Sequence, residues 1–118
     1  MLLVYTVELP PGAADPVEME RVFAAHRALM DEAAQRKVLV AAEPLHATST
    51  ATTIRKRGDA FLTVDGPFAE TVEQLAGYYI LDCADLDEAM EWARRIPTAC
   101  GGEEGSIEIR PLVWQKGD

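Results

Sequence analysis

Residues 77–97 read GYYILDCADLDEAMEWARRIP and describe a strand followed by a helix. The segment 77–83 is apolar and aromatic, which is typical of a β-strand. Asp85 opens a D-x-x-E sequence, in which an N-cap carboxylate precedes a second carboxylate by three residues. Pro97 ends the helical pattern. The predicted buried face of this helix carries apolar residues at helical spacing: Leu86, Ala89, Met90, Ala93 and Ile96.

The same unit occurs at the start of the chain. Residues 2–9 form a β-rich run that ends at Pro10-Pro11-Gly12 and predict a first strand. Asp15 then supplies an N-cap, with Pro16 at the first helical position and Glu18 completing a second D-x-x-E pattern. The predicted helix runs to about residue 35, and His26 lies on its apolar stripe. The stripe consists of Met19, Val22, Phe23, Leu29, Met30 and Ala33.

The middle and the end of the chain predict further strands. Residues 37–42 (KVLVAA) are short and almost wholly apolar, which indicates a central strand covered on both sides. Residues 48–57 and 60–64, separated by Gly58-Asp59, predict a β-hairpin with a basic tip. Residues 106–114 predict the last strand. The segment 68–75 is expected to be a loop or a short helical turn.

The predicted order is strand, helix, strand, hairpin, strand, helix, strand. This is an α+β fold of the ferredoxin-like type with an inserted β-hairpin, in a single domain over residues 1–118. The helices should cover one face of the sheet, and the other face suits a dimer interface that encloses a polar cleft. In the last strand, alternation places Ile107, Ile109 and Val113 on one face and Glu108, Arg110, Leu112 and Trp114 on the other.

Composition and charge exclude several classes of protein. With 48% hydrophobic and 26% charged residues the chain has ordinary globular usage, and no apolar run approaches the roughly 18 residues of a membrane span. The start lacks the features of a signal peptide, so a soluble, cytoplasmic protein is expected. The net charge of -9, with Arg55, Lys56 and Arg57 as the one basic cluster, argues against nucleic acid as a partner.

Motifs for cofactors and metals are missing from the sequence. Cys83 and Cys100 are far apart, and the two histidines lie twenty residues apart, so neither a disulfide framework nor a metal site is expected. The sequence has no Gly-rich phosphate motif and no G-x-S-x-G nucleophile motif. We therefore expect no cofactor.

Residues 64–71 (VDGPFAET), continuing through 73–75 and 77–79, closely resemble the signature of DGPF proteins within the YCII-related family. Residues 49–55, 85–97 and 109–111 are similar to further parts of that family. The resemblance implies a homodimeric α/β barrel built from two ferredoxin-like units, a fold shared with small enzymes that include dehalogenating and isomerising relatives. It implies no single reaction, because fold does not determine function.

The resemblance also implies a candidate pair of catalytic residues. YCII-like proteins are suspected to use a histidine on the first helix with an aspartate just before the proline after the second helix. His26 matches the histidine, but the aspartate position is occupied by Ile96. We hypothesise that Asp65 or Glu70 supplies the missing acid, although His26 on an apolar stripe is also typical of a hydrogen-bonded core residue.

Each further candidate has a structural alternative. Asp65 either presents a carboxylate from a rigid loop or simply forms the Asp-Gly-Pro turn. Phe68 is either a core residue or a wall of the ligand cleft, and Glu70 either caps a helix with Thr71 or lines the pocket. The remaining candidates are Tyr78, whose strand neighbour Tyr79 points to the opposite face, Arg110, which either binds an anionic ligand or pairs with Glu108, and His46, expected at the surface.

Two functions are consistent with these residues. One is a homodimer with a small-molecule cleft in each subunit, where His26 and an acid act in catalysis. The other is a non-catalytic regulatory or interaction protein, since DGPF-like proteins are often encoded beside extracytoplasmic-function sigma factors or fused to them. A bound small molecule touching His26 and Asp65 would favour the first function, and a sigma factor as binding partner would favour the second.

Overall fold

The computed structural model describes residues 1–10, 12–13, 15–98 and 105–113. It contains two helices, and its strands form a four-stranded and a two-stranded antiparallel sheet. In chain order the elements are β1 (Leu2–Val7), α1 (Pro16–Gln35), β2 (Leu39–Pro44), a 3-10 turn (Thr48–Thr50), β3 (Thr52–Arg57), β4 (Ala60–Asp65), β5 (Glu73–Leu81), α2 (Leu86–Arg95) and β6 (Gly105–Ile109). Cys100 and Trp114 lie outside the described residues.

The main sheet has the strand order β2-β5-β1-β6, and every neighbouring pair is antiparallel. This order, with two helices in the connections, is compatible with a ferredoxin-like α+β fold. Strands β3 and β4 pair with each other around Gly58, whose φ of 59° suits a tight turn, and with no other strand of the described chain.

Both helices begin where the sequence predicts. The Asp15 carboxylate accepts a hydrogen bond from the Val17 amide at 3.0 Å, and the Asp85 carboxylate accepts one from the Glu88 amide at 2.9 Å. These side chains satisfy amide groups that have no partner within the first helical turn. No helix among the described residues is long and apolar enough to cross a membrane.

The core lies between the helices and one face of the main sheet. Its buried side chains come from β1, α1, β5 and α2, and from the residues that flank them. Trp92 is its largest member, and its side chain is only 2% exposed. The buried core residues are Leu2, Val4, Leu29, Ala33, Val38, Tyr79, Trp92 and Ile96.

The buried face of α2 contains Ala89 and Ile96 as predicted, but it differs from the predicted face at two other positions. Leu86 was expected on it but is 61% exposed, whereas Trp92 was not expected there and is almost fully buried. The stripe consists of Ala89, Trp92 and Ile96, which are three and four residues apart. Leu86 opens the helix, one turn before the part that packs on the core.

Several strands also differ from their predicted bounds. Strand β2 was expected in the centre of the sheet, but it lies at an edge, and Val40 is 45% exposed. Residues 68–72 form no helix, and β5 starts at Glu73. Strand β6 stops at Ile109, because Pro111 has no amide hydrogen to continue a ladder. Leu112 and Val113 therefore lie beyond the sheet, contrary to the predicted alternation.

One face of the main sheet has neither of the two described helices against it. The register places Leu3 of β1 opposite Tyr78 of β5 and Glu108 of β6, so these three side chains share a face. Tyr78 in turn lies opposite Glu43 of β2. Leu3, Tyr78 and Ile80 are half-buried, in contrast to the buried Leu2, Val4 and Tyr79 on the helix side. We call this surface the open sheet face.

Candidate functional site

A cavity of about 610 Å³ opens between the N-terminal part of α1 and the end of the main sheet. This volume lies within the range of about 300–1,000 Å³ that is usual for small-molecule pockets. The walls are mainly apolar. They include Val22, Phe23 and Met30 from α1, Val4 from β1, Ala42 from β2 and Leu75 from β5.

Two polar side chains meet in the wall of this cavity. The Nδ1 atom of His26 lies 2.5 Å from the hydroxyl oxygen of Tyr79, within hydrogen-bond distance. Their rings are stacked at an interplanar angle of 24°, with centroids 5.9 Å apart. Helix α1 supplies the histidine, and β5 supplies the tyrosine from the face that packs on the helices. The pair therefore joins the two walls of the cavity.

Burial keeps both members of this pair uncharged near neutral pH. It lowers the pKa of His26 below its usual value, and the backbone carbonyl of Pro97 opposes this shift by accepting a hydrogen bond. Burial raises the pKa of Tyr79 to about 12. The phenol therefore remains protonated and is a hydrogen-bond donor at neutral pH.

A neutral imidazole beside a protonated phenol can both donate and accept a proton. When the Tyr79 hydroxyl donates to Nδ1 of His26, the Nε2 atom of the same ring carries hydrogen and acts as a donor. When the tautomer is reversed, Nε2 is an acceptor and Tyr79 is free to donate to another group. The Pro97 carbonyl accepts a hydrogen bond from His26, so a ligand hydroxyl or carbonyl group must take its place on the imidazole before the pair can hold that group and move a proton to or from it.

The rim of the cavity is polar, and hydrogen bonds and an ion pair hold some of its side chains in position. Glu8, after the end of β1, accepts hydrogen bonds from the amide and the hydroxyl of Thr48 at 2.8 and 2.5 Å. These contacts attach the 3-10 turn to the end of β1. Arg27 also borders the cavity and pairs with Glu20 at 2.7 Å. His46 is exposed, as expected, but it also borders the cavity.

Gly77 allows the sheet beside the cavity to close tightly. A Cβ atom at this position would lie 2.9 Å from the backbone oxygen of Glu43 and 3.3 Å from the Cα of Pro44. Both atoms belong to the neighbouring strand β2, so a side chain would push β2 away from β5. The glycine therefore sets the width of the sheet at the cavity wall.

Of the sequence-predicted site residues, His26 and Tyr78 border this cavity, although the strand register assigns the Tyr78 side chain to the open sheet face. Asp65, Phe68, Glu70 and Arg110 do not belong to its lining, and their part in a ligand site stays a prediction. Asp65 ends β4, and the following Gly66 has a φ of 99°, as the predicted Asp-Gly-Pro turn requires.

The other predicted residues lie at the surface. Phe68 is 75% exposed, so it is not a core residue of the chain by itself, and its carbonyl accepts a hydrogen bond from Arg55 at 3.1 Å. Glu70 is exposed and caps no helix. Arg110 pairs with Glu108, which is the structural alternative considered for it.

Sequence reasoning missed the partner of His26. The acid position suggested by the family pattern holds Ile96, which is buried in the core. The hydrogen bond of His26 goes instead to Tyr79, which is 53 residues away in the chain. Strand alternation places one of the two adjacent tyrosines against the helices, and this was the available signal. It does not indicate which helical residue the tyrosine meets.

Among the described residues, no group of three or more His, Cys, Asp or Glu side chains is arranged to hold a metal ion. Cys83 is a half-buried free thiol. Burial and the nearby carboxylates of Glu88 and Asp82 raise the pKa of this thiol. It is therefore a poor nucleophile at neutral pH.

We predict that the His26 ring titrates below pH 6.5. Because burial favours the neutral ring, the unfolded chain binds more protons than the folded one between the folded pKa and about 6.5. The free energy of unfolding should therefore fall as the pH is lowered through this window. An NMR titration of the imidazole protons, assigned with a His46→Gln variant, measures the pKa directly, and a midpoint at or above 6.5 would contradict the prediction.

The fold and the site together define a class: a small antiparallel α+β protein with a helix-side cavity containing a histidine. A family model described as the YCII-related domain matches residues 1–114. The chain is also 38% identical over 115 residues to the uncharacterized protein R00369 of Rhizobium meliloti (strain 1021), covering 98% of this chain and 92% of that protein. The chain therefore belongs to the YCII-related family.

Proposed function

We propose that this YCII-family protein binds a small, mainly apolar molecule through one hydrogen-bonding group and transfers a proton at that group with His26. The observation that carries this proposal is the His26–Tyr79 hydrogen bond in the wall of a cavity of about 610 Å³. Apolar walls bind the body of such a molecule by burial, while a few polar groups determine its orientation. His26 and Tyr79 are two such polar groups, and they are hydrogen-bonded to each other at that wall.

The charge state of the pair defines the class of ligand. A neutral imidazole next to a protonated phenol provides no permanent charge, so it favours a hydroxyl, enol or ketone group over a phosphate or a carboxylate. Arg27 at the rim is already paired with Glu20. The favoured ligand is thus an aromatic or aliphatic alcohol, phenol or ketone.

The proposal includes a homodimer that forms through the open sheet face. Leu3, Tyr78 and Ile80 give this face an apolar centre, and no described helix covers it. Apolar surfaces of this kind are commonly buried by a second copy of the same chain. The regulatory alternative, association with a sigma factor, has no support from the cavity, and the cytoplasmic location stays a prediction.

The test is a fragment screen by ligand-observed NMR, with phenols, alcohols, ketones and matched carboxylic acids as probes. Phenols and ketones should bind, and their signals should broaden in the presence of the wild-type chain. His26→Ala and Tyr79→Phe should each weaken this binding, because each removes one polar contact. Val17→Ala is the matched control, since Val17 lies on the same helix, is 77% exposed and does not line the cavity.

Two results would overturn the proposal. One is that no phenol, alcohol or ketone binds the wild-type chain. The other is that the fragments bind equally well to wild type and His26→Ala. Proton transfer is tested next by following the exchange of the acidic Cα deuterium of a bound ketone, which should slow markedly in His26→Ala. Exchange at the uncatalysed rate in the wild type would restrict the function to binding.

A further inference from the structure

The hairpin of β3 and β4, residues 52–65, projects from the body as an arm. Two hydrogen bonds join the two ends of the hairpin to each other: the Gly66 amide donates to the Ala51 carbonyl at 2.7 Å, and the Thr53 hydroxyl donates to the Gly66 carbonyl at 2.7 Å. The radius of gyration is 16.1 Å, whereas a compact chain of this length has about 13–14 Å. A two-stranded hairpin alone is marginally stable in water, so the arm requires a surface to pack on.

The arm is apolar on both faces. The register pairs Lys56 with Phe61 and Ile54 with Thr63, which puts Phe61 and Ile54 on one face. Leu62 and Val64 lie on the opposite face. Phe61 is 66% exposed, Ile54 is 62% exposed and Leu62 is 60% exposed. Large apolar side chains that are this exposed, next to one another, are typical of an interaction surface.

The charge of the arm is opposite to the charge of the rest of the chain. Its tip carries Arg55, Lys56 and Arg57, three of the eleven basic residues, and the net charge of the whole chain is -9. The arm also contains Asp59 and Asp65, so its net charge is +1, and the rest of the chain has eight basic and eighteen acidic residues, a net charge of -10. A second copy of this chain therefore presents an acidic surface that complements the arm.

We infer that the arm of each subunit docks onto a second copy of the chain, beside the open sheet face. Glu43 and Glu108 are on that face together with Leu3 and Tyr78. Glu108 is already paired with Arg110, so Glu43 is the acidic group that the face offers beside its apolar centre. The arm presents the matching combination of basic and apolar side chains. This inference rests on the proposed homodimer and assigns a second contact surface to it. In the proposed dimer, each of the two arms contacts the other subunit.

Two measurements test the arm. In the first, p-benzoylphenylalanine is placed at position 61, and irradiation of the purified chain should yield a covalent dimer with the cross-linked peptide in the second copy. The same group at position 17 is the matched control, because Val17 is 77% exposed and belongs to α1 and not to the arm. It should give little or no covalent dimer.

In the second measurement, sedimentation gives the dimer dissociation constant of Phe61→Asp, of Leu62→Asp and of the control Val17→Asp. Each arm variant should raise this constant about 100-fold, because a symmetric dimer loses the buried side chain twice. Far-UV circular dichroism should show that the body remains folded.

The outcomes separate the arm from the dimer as a whole. If the wild-type chain is dimeric and both arm variants have an unchanged dissociation constant, the docking of the arm is overturned and the homodimer is not. A monomeric wild type would overturn both the arm and the proposed homodimer, whereas ligand binding in the cavity would be unaffected. Cross-links from position 61 that reach only the same chain, or only another protein added from a lysate, would also overturn the inference.

Discussion

Replacing Trp92 with alanine should lower the free energy of unfolding by about 3–5 kcal/mol. Trp92 is 2% exposed and packs in the core that the two helices share with the main sheet. Its removal would leave a cavity that the neighbouring side chains fill only in part. Because small domains have a total stability of about 5–15 kcal/mol, the variant should be close to unfolding at physiological temperature.

Charged side chains also lie against the ring of Trp92. The guanidinium groups of Arg36 and Arg95 lie 4.9 and 5.0 Å from its ring centroid, one from the end of α1 and one from α2. The Glu32 carboxylate accepts two hydrogen bonds from Arg95, both at 2.6 Å. With the contribution of Arg36, these contacts lower the pKa of Glu32 to about 2. The indole ring thus joins the two helices at a point where their charges also meet.

Chemical denaturation of wild type and Trp92→Ala measures this effect. Leu86→Ala is the matched control, because Leu86 lies on the same helix and is also large and apolar, but is 61% exposed. The control should lose less than about 1 kcal/mol, as expected for a side chain that is already mostly in water. A similar loss in both variants would mean that Trp92 is not a central part of the core.

Local signals in the sequence were sufficient to place the helices. Asp15 and Asp85 both cap the helices that their D-x-x-E patterns predict, since capping depends on residues only a few positions apart. The burial of Trp92 was not predicted, because the three-four spacing counted from Leu86 includes Ala89 and Ile96 but leaves out position 92. The position of β2 at the sheet edge was also missed. Strand order depends on contacts between distant segments, which a local apolar pattern does not specify.

The candidate site was predictable only in part for the same reason. His26 follows from a helix pattern and a family resemblance, and Tyr78 and Tyr79 follow from strand alternation. The contact between His26 and Tyr79 joins α1 to β5, and nothing local in the sequence measures that distance. The preference for Asp65 or Glu70 as partner came from their charge. The structure instead shows a neutral tyrosine, whose raised pKa keeps it a donor.

Replacing Val22 with tryptophan should abolish detectable fragment binding while leaving the chain folded. Val22 is half-buried and lines the cavity from α1. Val22 lies one helical turn before His26, so an indole ring at this position would fill the space directly beside the histidine and would leave His26 and Tyr79 in place. The same NMR screen, together with denaturation curves, measures both effects. Val17→Trp on the same helix is the matched control and should bind fragments as the wild type does.

The stability of Val22→Trp distinguishes a binding cavity from a packing defect. An empty apolar cavity reduces stability because its walls lack contacts, so filling it should leave the free energy of unfolding unchanged or raise it. A more stable chain that no longer binds would show that the cavity is kept open for a ligand at the expense of stability. If the tryptophan is too large and destabilises the chain, Val22→Phe provides a smaller side chain for the same test. If folded Val22→Trp and Val22→Phe both bind the fragments as strongly as the wild type does, the ligand lies outside this cavity and the proposed site is contradicted.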